Sequence, residues 1–171
     1  MSAAATAPFH FVTHWQTHVA ENDEAILKFW RRENAIGDDG QAQQRLREVV
    51  LDARTPQGEV AGVCTAAPVT LPRLGQPMYY YRCFIGNDWR KTRLVSTLLI
   101  RAFEALEDYA RNNGYPCIGV VLELENARFG ETLRRPVWPS TGFIYVGKSA
   151  RGLDLRLRYF RGARLKKHAA P

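Results

Sequence analysis

The sequence predicts an α/β fold, a mixed sheet with helices on both sides. Three observations support this prediction. Apolar runs of strand length alternate with helical patterns along the chain, an aromatic-rich strand at 78–85 runs directly into a long amphipathic helix, and the chain closes on two neighbouring strand patterns.

The stretch from 78 to 114 organises the predicted fold. Its strand, MYYYRCFI, is rich in β-favouring aromatics and has no breaker, as expected of a strand covered on both faces. Asn113-Gly114 ends the helix, because glycine adopts the left-handed conformation found at helix ends. In the helix, apolar residues recur at three- and four-residue steps: Val95, Leu98, Leu99, Ala102, Phe103, Leu106 and Ala110.

The loop between this strand and this helix concentrates positive charge where the helix begins. Arg90, Lys91 and Arg93 lie there, although basic side chains usually avoid the partly positive end of a helix. Unpaired backbone N–H groups at that end attract anions. The pattern therefore indicates either a phosphate or diphosphate site or a solvated basic turn beside acidic surface residues.

Composition indicates one folded domain with acidic partners. The 171 residues can bury a full core, 46% are hydrophobic and 24% are charged. The net charge of +7 favours phosphorylated cofactors, an acidic carrier protein or nucleic acid. The three cysteines are dispersed, so we expect reduced thiols in a cytoplasmic protein. No apolar run approaches the roughly 20 residues of a transmembrane helix, and no membrane partner is expected.

The ends of the chain are predicted to be tails around a single domain at residues 9–160. Residues 1–8 lack the basic opening and apolar core of a secretory signal, and we expect them to be disordered. Residues 161–171 are predicted to be a loose basic tail. Its cations could touch nucleic acid, but a short basic end is more often only solvated.

Before residue 78, the pattern predicts three strands and one helix. The helix is expected from Asn22 to Ile36, capped by Asn22 or Asp23 and ended by Gly37. The polar span 38–45 is predicted to be a loop or a frayed helical turn. The strands are expected at FHFVTHW, REVVLDA and EVAGVCTAA, and 71–77 as a loop.

After residue 114, the pattern predicts three strands and a short helix. CIGVVLEL is an apolar strand, and 127–134 is a helix stopped by Pro136 and Pro139. FIYVGKS and LDLRLRYF are expected to pair. In the last of these, Leu153, Leu155, Leu157 and Tyr159 alternate with Asp154, Arg156, Arg158 and Phe160, which predicts one buried and one wetter face.

The order of elements and the run FIGNDWRKTRLVSTLLIRAF resemble the GCN5-related N-acetyltransferases (GNAT). In that family an arginine- or glutamine-led, glycine-rich loop after the fourth strand holds the diphosphate of acetyl-CoA. Here Arg90 takes the leading position, Asn126 in ELEN resembles the asparagine after the fifth strand, and Gly142-Phe143 resembles the Gly-Phe opening the sixth. The resemblance covers roughly 9–160 in topology and implies a mostly antiparallel sheet of six to seven strands.

The resemblance implies an acyltransferase that uses acetyl-CoA or another acyl-CoA as donor, an amine as acceptor, and no metal. N–H groups of the strand end could stabilise the negative charge that develops on the donor carbonyl. The sequence leaves the oligomeric state open, with a homodimer as one option. The implied donor-binding residues are Phe84, Ile85, Arg90, Lys91, Thr92, Arg93, Leu94, Val95, Ser96 and Asn126.

Two departures from the family pattern concern the chemistry. Both loop glycines are replaced, by Arg93 and Val95, and glycine is the residue that lets a backbone approach a diphosphate closely. The replacement indicates either a direct charged contact from Arg93 or a different donor. Tyr79 stands where many relatives carry a general-base glutamate, and Trp138 where many carry a general-acid tyrosine. The usual acid–base pair is therefore missing.

For the base we expect Glu123 and Glu125, which share a face at the end of the fifth strand by period two. Tyr79 is the third catalytic candidate. The alternatives are a surface carboxylate pair and a core aromatic. His10, His14 and His18 have the four-residue spacing of metal ligands on a helix, but the strand pattern there argues against a metal site.

Three functional hypotheses follow. The first is an N-acyltransferase using CoA thioesters and a small-molecule or peptide amine. The second is an N-acyl synthase that depends on an acyl carrier protein, because YYYRCFI and LRRPVWPSTGFIYVG resemble acyl-homoserine-lactone and N-acyl amino acid synthases of the same fold. The third is a non-catalytic binding module. Nucleic acid is the least favoured partner.

Overall fold

A computed structural model describes residues 9–125 and 134–167, in which seven strands and three helices are found. The strands are β1 (His10–Thr13), β2 (Val49–Arg54), β3 (Val60–Thr70), β4 (Pro77–Ile85), β5 (Gly119–Leu124), β6 (Ile144–Lys148) and β7 (Asp154–Tyr159). The helices are α1 (Ala20–Arg32), α2 (Asp39–Leu46) and α3 (Leu94–Asn112). The short helix expected at 127–134 falls almost entirely outside the described residues.

The strands form one sheet in the order β1-β2-β3-β4-β5-β7-β6. Strands β4 and β5 pair in parallel at Tyr79↔Val120 and Tyr80↔Val121, whereas β5 and β6 both pair antiparallel with β7. The predicted α/β fold with a mixed, mostly antiparallel sheet and flanking helices is confirmed. None of the helices in 9–125 and 134–167 is long and apolar enough to cross a membrane.

The chain divides into two compact units. Unit 1 comprises Met1–Ala66 and Arg82–Ala105, and unit 2 comprises Ala67–Tyr81 and Leu106–Pro171. The core of unit 1 joins the two helices α1 and α2 to strands β2 and β3, through Ile26, Phe29, Trp30, Ala42, Leu46, Val49, Val60 and Val63. The core of unit 2 contains Met78, Ile118, Val121, Leu155 and Leu157.

The first two helices differ from their predicted forms. Helix α1 begins at Ala20 without a side-chain cap and ends at Arg32, because Asn34 takes a left-handed φ of 55° and the Ala35 N–H returns to the Trp30 carbonyl at 2.9 Å. The span 38–45, predicted as a loop or a frayed helical turn, belongs to α2. The Asp38 carboxylate caps its first turn by accepting from the Gly40 N–H at 2.6 Å.

Strand β7 does not alternate between a buried and a wetter face as predicted. Arg156 is only 1% exposed, whereas Tyr159 is 44% exposed. The reason is that β7 lies between β5 and β6 in the sheet, and the Trp138 ring covers Arg156, whose guanidinium carbon is 4.3 Å from the ring centroid. A cation is thus buried on a strand face that the sequence pattern assigned to solvent.

The described part of the C-terminal tail is anchored, not loose. The Arg161 N–H donates to the Glu107 carboxylate at 2.6 Å, and the Tyr115 hydroxyl donates to the Arg161 carbonyl at 2.8 Å. Farther along, the buried Gln76 side chain exchanges two hydrogen bonds with the Lys166 backbone, at 2.7 and 3.1 Å. The prediction failed because these partners lie 46 to 90 residues away in the chain.

Candidate functional site

The loop that joins β4 to α3 lies within unit 1 and is tightly built. After Ile85 the chain makes a single 3-10 turn at Asn87–Trp89. The Thr92 hydroxyl then donates to the Trp89 carbonyl at 2.7 Å and accepts from the Leu94 N–H at 3.2 Å, which satisfies one of the first amides of α3. Because Leu94 is buried, the start of the helix is held in place.

Arg90 is held by its own loop while staying exposed. Its Nε donates to the Ile85 carbonyl at 3.2 Å, and its guanidinium carbon lies 5.5 Å from the centroid of the Phe84 ring. The backbone contact and the ring contact orient the guanidinium and leave its terminal nitrogens available. This preorganisation suits recognition of an anion.

Lys91 and Arg93 are exposed, and within the described ranges neither makes an ion pair or hydrogen bond through its side chain. The first turn of α3 contains no acidic residue. In the same part of the chain, the amides of Val95 and Ser96 donate to no protein acceptor, as expected for the first residues of a helix. The loop thus combines uncompensated positive charge with free N–H groups, the arrangement that binds phosphates at helix ends.

Glu33, which the sequence analysis missed, fixes the beginning of the loop. Its carboxylate accepts from the Asn87 N–H at 3.0 Å and from the Arg32 Nε at 3.3 Å. Gly86 leaves room beside it, because a Cβ there would lie 3.2 Å from both the Glu33 Oε1 and the Phe29 ring and would crowd them. No sequence signal could have indicated this contact, since 54 residues separate Glu33 from Asn87.

In unit 2 the structure brings Glu123 and Glu125 together at the end of β5. Both bind Arg151, whose NH2 lies 2.7 Å from Glu123 Oε2 and 2.6 Å from Glu125 Oε1. The hydrogen bonds that Arg151 donates to Glu125 and Glu123 raise the pKa of its guanidinium above the usual value. The pair was predicted from the sequence, whereas the cation that holds it lies 26 to 28 residues away and was not.

Tyr79 lies in the core of unit 2 and is 2% exposed. Its ring centroid is 6.2 Å from that of Phe160. Burial, together with the neighbouring Cys117 and Tyr109, raises the pKa of the Tyr79 hydroxyl, and burial raises the pKa of the Cys117 thiol to about 11. Both groups are therefore protonated at neutral pH. Trp138 is also buried and contacts Phe143, with ring centroids 6.4 Å apart.

The remaining site predictions concern histidines and a residue outside the described ranges. Within 9–125 and 134–167, no group of three or more His, Cys, Asp or Glu side chains is placed to hold a metal ion. His14 instead lies 2.8 Å from the buried Asp52 carboxylate. Asn126 is not among the described residues.

The comparisons with known proteins point to one fold. No family model and no curated protein sequence matches the chain. Among solved structures, an acetyltransferase of the GNAT family from Streptococcus pneumoniae aligns with a TM-score of 0.60 at 14% identity, covering 90% of this chain and 100% of its own.

Two further similar structures are described as complexes with acetyl-CoA. AtaTR bound with AcCoA aligns with a TM-score of 0.57 at 15% identity, over 88% of this chain and 92% of its own. A GNAT family acetyltransferase from Brucella melitensis in complex with acetyl-CoA aligns with a TM-score of 0.52 at 16% identity, over 94% and 92%. At such identities the likeness concerns the arrangement of helices and strands.

Proposed function

We propose that this chain, which has the fold of the GCN5-related N-acetyltransferases, is an N-acyltransferase. It would move an acetyl or other acyl group from a CoA thioester to an amine of a small-molecule or peptide acceptor. The observation that carries the proposal is the loop at the start of α3, where three cations and two free amides have no anionic partner among the described residues. In the family that the sequence resembles, the loop at this position holds the diphosphate of acetyl-CoA, and the proposal assigns the same role to it here.

The proposed donor site uses side chains where the family uses glycine. Arg90 is already oriented by Ile85 and Phe84, and Arg93 and Lys91 are exposed and unpaired within the described residues. Guanidinium and ammonium groups form charge-assisted hydrogen bonds with phosphate oxygens, which are stronger than neutral ones. The N–H groups of Val95 and Ser96 would add the helix-end contribution. Arg93 thus compensates for the lost glycine with a direct contact.

The reaction forms a bond between the acceptor nitrogen and the acyl carbon and breaks the carbon–sulfur bond. The amine must lose a proton and the departing thiolate must gain one. The N–H groups near Phe84 and Ile85 remain our proposal for stabilising the oxyanion. Glu123 and Glu125 remain the proposed bases, each with one oxygen bound to Arg151 and the other without a contact to it. Tyr79 remains a prediction, although its burial favours a packing role.

We expect acetyl-CoA to raise the melting temperature of the protein, because a ligand that binds only the folded state stabilises it. Arg90→Ala and Arg93→Ala should each weaken acetyl-CoA binding about ten- to a hundredfold, the effect of losing one charge-assisted contact. Arg111→Ala is the matched control, since it removes the same charge from an exposed position in the last turn of α3. Isothermal titration with acetyl-CoA measures all three variants.

Equal affinity of the three variants, or no binding of any acyl-CoA, would contradict the donor site. One specific alternative would then gain support. The runs YYYRCFI and LRRPVWPSTGFIYVG resemble acyl-homoserine-lactone and N-acyl amino acid synthases, which have this fold without the glycine loop. Binding of an acylated carrier protein without any response to CoA esters would favour that function.

A further inference from the structure

The net charge of the protein is carried by one of its two units. Unit 1 contains eleven basic and eleven acidic residues, whereas unit 2 contains thirteen basic and six acidic ones, out of 24 and 17 in the whole chain. The excess of +7 therefore belongs to unit 2. Charge segregation of this kind raises the local potential more than the same charge spread evenly over a surface.

The acidic groups described in unit 2 are already occupied. Their partners are basic side chains that lie before residue 152, or a backbone amide: Glu123 and Glu125 bind Arg151, Asp108 binds Arg111, Asp154 binds Lys148, and Glu107 accepts from the Arg161 N–H. No carboxylate among these five is left for the cations at the C-terminal end of the described chain.

Those cations form what we call the basic segment: Arg161, Arg164, Lys166 and Lys167. All four are exposed, and none makes an ion pair within the described ranges. The backbone that carries them is nevertheless fixed. Glu107 and Tyr115 hold it at Arg161, Ala163 packs against the core of unit 2, and the Gln76 side chain holds it at Lys166. A merely solvated tail would not need these anchors.

The length of the basic segment suits a partner with repeated negative charges. Its seven residues span at most about 20 to 25 Å and carry four cations within that length. One strand of a nucleic acid duplex carries a phosphate about every 3.4 Å of axis, so a segment of this length can face several phosphates. Tyr159 lies two residues before Arg161 and is 44% exposed, which offers a ring on which an unpaired base can stack.

We propose that the basic segment of unit 2 binds the phosphate backbone of single-stranded nucleic acid without sequence preference. Nucleic acid was the least favoured partner in the sequence-based prediction, because a short basic end is more often only solvated. Anchoring removes much of the entropy that a loose tail would lose on binding, and it presents the cations at set spacings. The proposal is independent of acyl transfer, because no residue of the donor loop takes part.

The test measures binding of a labelled, mixed-sequence RNA of about 20 nucleotides by fluorescence anisotropy between about 50 and 300 mM KCl. If four cations contact phosphates of a single strand, the logarithm of the binding constant should fall with the logarithm of salt with a slope of about −3. Replacing all four residues of the basic segment with glutamine should bring the slope close to zero and weaken binding at low salt at least tenfold. The same measurement with a single-stranded DNA of the same sequence shows whether the basic segment binds RNA or DNA more tightly.

Two controls separate this site from net charge alone. Lys28→Gln, Arg31→Gln, Arg45→Gln and Arg47→Gln together remove the same charge from exposed or half-exposed positions of unit 1, and should change affinity less than about threefold. Gln76→Ala keeps every charge but frees the backbone at Lys166, and should weaken binding several-fold. Tyr159→Ala should weaken binding of the single strand and leave the salt slope unchanged.

Four results would overturn the proposal. They are unchanged RNA binding by the variant of the basic segment, an equal loss in the unit 1 control, equally strong competition by polyglutamate of the same charge, and binding of an acidic carrier protein in place of RNA. Because the four replaced side chains are exposed, the variant is expected to keep the melting temperature of the parent protein, which checks that it is folded.

Discussion

Replacing Asp52 with alanine is expected to lower the free energy of unfolding by about 3 to 5 kcal/mol, the usual cost of removing one partner of a buried charge pair. Asp52 is fully buried on β2. Its two oxygens accept from Arg54 at 3.0 and 2.9 Å, and one of them lies 2.8 Å from the His14 ring. Without this carboxylate, the Arg54 guanidinium loses its ion-pair partner and the buried His14 ring loses its hydrogen-bond partner.

Urea denaturation measures this effect, with Asp39→Ala as the control. Asp39 also pairs with an arginine, Arg31 at 3.1 Å, but both side chains are more than half exposed. An exposed pair contributes at most about 1 kcal/mol. If both variants lost the same free energy of unfolding, the buried cluster would contribute no more to stability than the exposed pair.

Because of Asp52, the stability of the protein should depend on pH. Burial opposes ionisation of Asp52, but the hydrogen bonds from His14 and Arg54 outweigh burial and lower the pKa of the carboxyl. A carboxyl whose pKa is lower in the folded than in the unfolded protein stabilises the folded state. This stabilisation is fully present above the pKa of the unfolded chain, about 3.9 for aspartate. This stabilisation is lost as the pH falls through the folded pKa. Below about pH 4, the melting temperature should therefore fall less steeply in Asp52→Asn than in the parent protein.

Substituting Gly119 with alanine is expected to destabilise unit 2 by about 3 kcal/mol, the upper part of the range for overpacked cores. A Cβ at this position would lie 2.4 Å from the Arg158 carbonyl oxygen and 2.9 Å from the Tyr159 Cα. Both neighbours are backbone atoms of β7, which pairs with β5 at Gly119↔Tyr159. They cannot move without breaking the ladder between these strands.

Gly37→Ala is the matched control for this prediction, because a Cβ at Gly37 meets nothing within 4 Å. Its free energy of unfolding should stay within about 0.5 kcal/mol of the parent. Urea denaturation of both variants, with expression yield as a second readout, makes the comparison. Similar stability of the two alanine variants would mean that β5 and β7 separate at little cost.

Elements with strong local signals were predicted well from the chain alone. Helix α3 runs from Leu94 to Asn112, as the apolar stripe and Asn113-Gly114 indicated. The basic loop was also predicted in its place, because charge at a helix start is a local property. Helix α2 was predicted only as a loop or a frayed helical turn, because its exposed face is polar and its two buried residues, Ala42 and Leu46, are too few to form a stripe.

The candidate site was predicted only where its residues are neighbours in sequence. Arg90, Lys91 and Arg93 could be found from their position before α3, whereas Glu33 beside Asn87 and Arg151 beside Glu123 could not. The burial of Arg156 under Trp138 was not predicted either, because these two residues are not neighbours in sequence. Side-chain periodicity describes which face of a strand is apolar, but what covers that face depends on distant segments.

Local pattern was thus sufficient for the class of fold, the long helix and the basic loop, since apolar spacing and helix-end charge act over a few residues. Folding decided the anchored C-terminal segment, the cation that holds the two carboxylates at the end of β5, and the carboxylate at the start of the loop between β4 and α3. Each of these depends on hydrogen bonds or ion pairs between residues at least 26 positions apart, for which the sequence carries no periodic signal.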